Sequence, residues 1–153
     1  MICNFACPER VEWVISLEED MRQHIAIFVG DAIKNILSGK KTMEGRFSLS
    51  RVLPYEALAK DDIIFLKKSG GDILGKAVVD NVLFYDNLRP ESIAILRKEY
   101  SDELCASDKF WQSKAKSRYG TLIFLKKPER FLVPLSFHKR DRRPWVIIIG
   151  RND

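Results

Sequence analysis

The sequence predicts an α+β domain: a mainly antiparallel β-barrel or half-barrel of five to six strands with flanking helices, with residues 1–153 forming one unit. Three observations predict it. The 153 residues allow one core and leave little room for a second. Runs of β-type residues outnumber helical patterns, and glycine and proline punctuate them at short intervals. No repeat, linker or low-complexity stretch divides the chain. A sheet this small tends to curl, because open edges invite aggregation.

Taken in order, the first twenty residues are the hardest to place: Val11, Val14, Ile15 and Leu17 with Trp13 suit a short helix or a strand. His24–Val29 is β-rich and stops at Gly30, so it reads as a buried strand. Asp31 stands at an N-cap position, Ile33, Ile36 and Leu37 share one helical face, and Gly39 suits a left-handed C-terminal cap. Lys40–Arg46 then reads as a loop leaving a helix C-terminus, where its cations face the negative end of the dipole. Pro54 at a first helical position predicts one or two turns over Pro54–Leu58. Ile63–Leu66 and Ile73–Phe84 read as strands joined by a turn at Gly70-Gly71. Pro90 opens a helix on which Ile93, Leu96, Tyr100 and Leu104 recur at helical spacing, and a short helix follows near Phe110 and Trp111. Three β-type runs finish the chain: Gly120–Leu125, Phe131–Phe137 and Trp145–Ile149, with Trp145 assigned to the core.

The formal net charge of +5 is unevenly distributed. Residues 114–151 hold eleven basic side chains against two acids, whereas residues 1–113 hold fifteen basic and eighteen acidic ones. A localised basic surface is the footprint of a polyanion binder, and the same run also suits a solvated face. Cys3, Cys7 and Cys105 have no framework spacing and cannot complete a four-ligand zinc site, so neither metal nor cofactor is expected. With no signal-like start and no apolar run near the ~20 residues of a membrane helix, a cytoplasmic protein without membrane partners is expected.

The segment richest in chemistry is Gly39-Lys40-Lys41-Thr42-Met43-Glu44-Gly45-Arg46, which reads G-x-K-x-x-E-x-R. It resembles the signature of the ASCH domains, which share the β-barrel of the PUA RNA-binding domains. The order of elements is similar too: a helix before the motif, a strand pair with a glycine turn after it, a helical insertion, then strands to the end, over about residues 25–150. The resemblance implies a PUA-like fold and a cavity near the motif that handles RNA or a nucleotide. Some ASCH proteins are ribonucleases that depend on a motif lysine, which Lys41 matches. The bacterial N4-acetylcytidine amidohydrolases also look similar here, but Glu44 stands where their threonine would be, so the hydroxyl nucleophile is missing.

The residues themselves support two chemistries. Lys41 offers three donors to a phosphate oxygen, or a base if burial lowers its pKa, and Arg46 offers a planar fork. In an extended chain Thr42, Glu44 and Arg46 share a face, so Glu44 orients Arg46 or accepts a proton. The alternative is an internal Glu44–Arg46 ion pair with Lys41 exposed. The catalytic candidates are therefore Lys41 and Glu44. The nucleic-acid candidates are Lys40, Lys41 and Arg46, then Lys126, Lys127, Lys139, Arg140, Arg142 and Arg143, with Trp111 and Tyr119 as stacking rings. His24 reads as a strand or core residue and His138 as a turn residue that could face a phosphate. The function expected is an RNA- or nucleotide-binding module acting as a monomer, with affinity that falls as salt rises. A small hydrolase using the same cleft, or a module whose basic face meets an acidic protein partner, are the alternatives.

Overall fold

A computed structural model describes residues 21–138 and 142–149. The apolar cluster Val11–Leu17, Cys3, Cys7, Lys139 and Arg140 lie outside the described residues. The elements are β1 (Gln23–Phe28), α1 (Ala32–Leu37), β2 (Met43–Ser48), β3 (Ile63–Lys68), β4 (Ile73–Tyr85), α2 (Pro90–Leu104), α3 (Asp108–Lys114), β5 (Tyr119–Leu135) and β6 (Trp145–Ile149). They form one six-stranded sheet in the order β2-β5-β4-β3-β1-β6. All neighbours are antiparallel except β1 and β3, whose parallel register aligns Gln23 with Ile63 and Phe28 with Lys68. The fold is thus the α+β half-barrel with flanking helices that the sequence predicts.

Three local readings need correction. Met43–Ser48 is a strand, not part of a loop, because it pairs residue by residue with β5, from Ser48↔Tyr119 through Met43↔Phe124. Pro54–Leu58 is not helical: it folds into turns closed by Tyr55 N–H to Val52 O and Ala57 N–H to Pro54 O, and Glu56 has a left-handed φ of 56° that no helix continues through. Finally, the two β runs before and after Pro128 are one strand, β5. β2 covers β5 only as far as Phe124, so among the described residues the remainder of β5 has no strand partner on that side, where proline is tolerated. Register shifts between β4 and β5 and a φ of 50° at Lys127 absorb the irregular middle.

Two apolar clusters hold the sheet. One contains Ala26, Phe28, Ile33, Ile36, Leu66, Ile123 and Trp145, so α1 packs against β3 and β5. The other contains Met43, Phe47, Leu96, Leu104, Trp111 and Leu122, where α2 and α3 pack on β2 and β5. α1 ends as predicted, with Gly39 at φ 82°. α2 starts at Pro90 and ends where Cys105 adopts φ 51°. Ser107 caps α3, accepting the Phe110 N–H at 3.2 Å.

Candidate functional site

The motif strand sorts its side chains by the two-residue period of a strand. Met43 and Phe47 enter the helical cluster, Phe47 also bordering a cleft of about 750 Å³ into which Glu44 and Arg46 turn from the other face of the strand. Its walls come from the end of β1, the start of α1, the Val52–Tyr55 turn, the α2–α3 junction and the first residues of β5. Lys41, shortly before β2, also lines it. Thr42 is exposed outside the strand and is not among the lining residues.

Lys41 and Glu44 are 8% and 9% exposed, values that require partners for their charges. The Lys41 ammonium donates to the Leu104 carbonyl, the last of α2, and lies 3.9 Å from Glu44 Oε2. It therefore sits at the negative end of a fifteen-residue helix, a favourable place for a cation. Glu44 Oε1 accepts the Gly45 N–H at 3.1 Å and lies 3.5 Å from Arg46 Nε. Arg46 Nη2 donates to the Ile27 carbonyl at 2.9 Å. The guanidinium rests over the rings of Phe28 and Trp145, 5.1 and 5.4 Å from their centroids. The Glu44–Arg46 pair is thus present, but Lys41 is buried beside it instead of exposed.

Beneath this trio runs a buried chain of polar groups. Trp145 Nε1–H donates to His24 Nδ1 at 3.0 Å, so the His24 proton is on Nε2, from which it reaches Asp62 Oδ2 at 2.9 Å. Asp62 also accepts the backbone N–H groups of Arg22 and Ala59. Burial pushes the Asp62 carboxyl up, but the hydrogen bond from His24 and the two N–H groups outweigh it, and the pKa lies below the ordinary 3.8. His24 is therefore the core residue expected, and Trp145 belongs to the core as well.

Aromatic rings stand at the mouth. Tyr119 and Tyr55 line the cleft with ring centroids 5.2 Å apart, and Arg51 lies over both. Burial, reinforced by Glu56 and Asp86, raises the Tyr55 hydroxyl above its usual range. Phe110, Lys114 and Cys105 add to the α2–α3 wall.

The other expected residues are scattered. Lys40 is exposed and outside the cleft. Trp111 is 2% exposed within the helical cluster, beside Phe47 and Phe110, so it presents no face for stacking a base. Lys126 is engaged by Asp61 at 2.8 Å and Asp80 at 3.8 Å, away from the cleft. Lys127 is exposed and does not line it either. Arg142 and Arg143 are exposed beside Pro144, which does line it, and His138 is exposed. Of the eleven basic residues of 114–151, only Lys114 lines the cleft among the described residues. Tyr55 and Asp31 were not foreseen as site residues: nothing in the local sequence brings the turn after β2 against the start of α1, which only the sheet order does. No group of three or more His, Cys, Asp or Glu able to hold a metal occurs among the described residues. No helix among them is long and apolar enough to cross a membrane.

No protein-family model matches the sequence, and no curated protein does. Solved structures match the fold. The crystal structure of ASCH from Zymomonas mobilis superposes with a TM-score of 0.65 at 17% identity, over 82% of this chain and 87% of that one. A serine-to-alanine mutant of that same protein gives 0.66 at 16% identity, over 84% and 89%. The half-barrel is therefore the fold of that ASCH protein.

Proposed function

We propose that this chain, an ASCH-type half-barrel, binds RNA or a nucleotide in the cleft beside Gly39–Arg46. The observation that carries this reading is the Lys41–Glu44–Arg46 trio, largely shielded from water on the wall of a cleft of about 750 Å³. Holding three ionised groups out of water is costly, and it recurs where a protein must recognise a polar ligand. The volume suits a small organic ligand. Lys41 spends one N–H on Leu104, and its remaining donors suit a phosphate or carbonyl oxygen. Glu44 Oε2, 3.9 Å from Lys41, suits an amine N–H of a base edge. Tyr55 and Tyr119 at the mouth suit stacking, worth roughly 1–3 kcal/mol per base. Lys114 and the exposed Arg142, preceded in the sequence by Lys139 and Arg140, suit backbone phosphates.

The test is fluorescence anisotropy with short labelled single-stranded RNAs and competition by nucleoside monophosphates. Wild type is expected to bind, and Arg46→Met to weaken binding by about tenfold, the loss of one charged hydrogen-bonding contact. Absence of binding by wild type, or equal affinity of Arg46→Met, would overturn the reading.

The contact between Lys41 and Glu44 favours a second reading, in which the cleft is hydrolytic. Lys41 would stabilise charge on a phosphate while a ribose 2′-OH attacks and Glu44 accepts its proton; the bond from phosphorus to the 5′-oxygen breaks, the leaving oxygen takes a proton from water, and a 2′,3′-cyclic phosphate remains. Incubation with RNA and with N4-acetylcytidine, beside Lys41→Ala, separates the two. Equal background turnover by wild type and variant on both substrates leaves binding alone.

A further inference from the structure

Arg46 rests on aromatic rings, and one of those rings is itself held by a hydrogen bond. The Trp145 indole lies 5.4 Å under the guanidinium, and its N–H is taken by His24 Nδ1 at 3.0 Å. His24 in turn is fixed by Asp62, a residue that does not line the cleft and that is anchored by the N–H groups of Arg22 and Ala59. His24, Asp62 and Trp145 are each at most 1% exposed, so bulk water does not compete for these bonds. An indole held only by packing can tilt, whereas one whose N–H has a single buried acceptor cannot tilt without leaving that donor unpaired.

We infer that His24 is a positioning residue for the cleft: through the Trp145 N–H it fixes the indole face that carries Arg46, and so sets how firmly Arg46 meets an anionic ligand. This rests on the reading of Arg46 as a ligand contact. The acceptor on His24 is the critical atom. His24→Asn keeps an oxygen in the place of Nδ1, whereas His24→Gln keeps an N–H in the place of Nε2 but puts no acceptor where Nδ1 stood. The two variants remove different halves of the relay. A His24 that merely filled space would treat them alike.

The experiment measures a short fluorescein-labelled single-stranded RNA binding to His24→Asn and His24→Gln, each also made in an Arg46→Met background. His24→Gln is expected to weaken binding by about tenfold and His24→Asn by less than about twofold, and in Arg46→Met neither should add a further loss. Losses of the same size with and without Arg46 would overturn the proposal while leaving the cleft reading intact. If Arg46→Met itself binds RNA like wild type, the cleft reading fails instead. A second measurement then decides the positioning separately: the Arg46 Nε–H and Trp145 indole N–H resonances in the RNA-free protein. Both should move in His24→Gln, and the Arg46 resonance should stay near its wild-type position in His24→Asn. An Arg46 resonance unmoved by His24→Gln would sink the proposal. If His24→Gln does not fold, Trp145→Phe removes the same N–H and must shift Arg46 in its place.

Discussion

Lys41 does two things with one ammonium group: it satisfies the last carbonyl of α2 and it faces the cleft. Lys41→Met is therefore expected to cost about 1–3 kcal/mol of stability in urea unfolding, because Leu104 O loses its donor, as well as weakening ligand binding. Asp62 belongs to the same scale. Asp62→Ala leaves His24 and two backbone N–H groups without an acceptor, and a loss of about 3 kcal/mol at neutral pH is expected. Because its folded pKa is depressed, its contribution is complete above the ordinary 3.8 and disappears as pH falls through the lower folded value. Urea midpoints of wild type and Asp62→Ala should accordingly converge under acid conditions. A difference that persists unchanged to low pH would show that the carboxylate charge is irrelevant. At this scale the nearness of Glu44 and Arg46 was legible because an extended chain, one of the readings the sequence admits, puts the two on one face. The fate of Trp111 was not, since helical spacing cannot say which of two adjacent aromatics, Phe110 or Trp111, turns inward.

Among the elements, the β4–β5 pair has the least room for change. An added Cβ at Gly75 would stand 2.3 Å from the Glu129 carbonyl oxygen, backbone that cannot swing aside. Gly75→Ala is expected to destabilise by about 1–3 kcal/mol, read as a lower urea midpoint. An unchanged midpoint would mean that the ladder slides at its register shifts. The helices and most strands were legible from the sequence because their apolar residues keep one period over several turns or pleats, as Ile93, Leu96 and Leu104 do on α2. β2 was hidden because Glu44, Gly45 and Arg46 have low strand preference and are held there by pairing with β5. Pro54–Leu58 was misread for the opposite reason. A local proline signal for a helix start was overridden by the turn that carries Tyr55 to the cleft mouth.

Across the whole molecule, most of the basic side chains of residues 114–138 lie off the cleft lining among the described residues. Lys126 is already neutralised by two carboxylates, and Lys40 and Lys127 do not line the cleft. With Lys41, Arg46 and Lys114 lining the cleft and Arg142 exposed near Pro144 at its edge, RNA affinity is expected to fall with salt at a log–log slope between about −0.7 and −3, from the usual −0.7 per phosphate on single strands. Anisotropy titrations across a salt series read this directly. A slope steeper than about −4 would mean that a much wider basic surface is engaged. Lys126→Ala should leave both slope and affinity as they are.

The cleft also divides the interior: Phe28 on one wall belongs with Trp145 to the sheet-and-α1 cluster, and Phe47 and Leu104 on the other belong to the helical layer. A guest lodged between them becomes mortar for two separately packed blocks. At about a hundredfold its dissociation constant it would add roughly 2.7 kcal/mol to the resistance of both against melting, so occupancy should be visible as a single sharpened thermal transition.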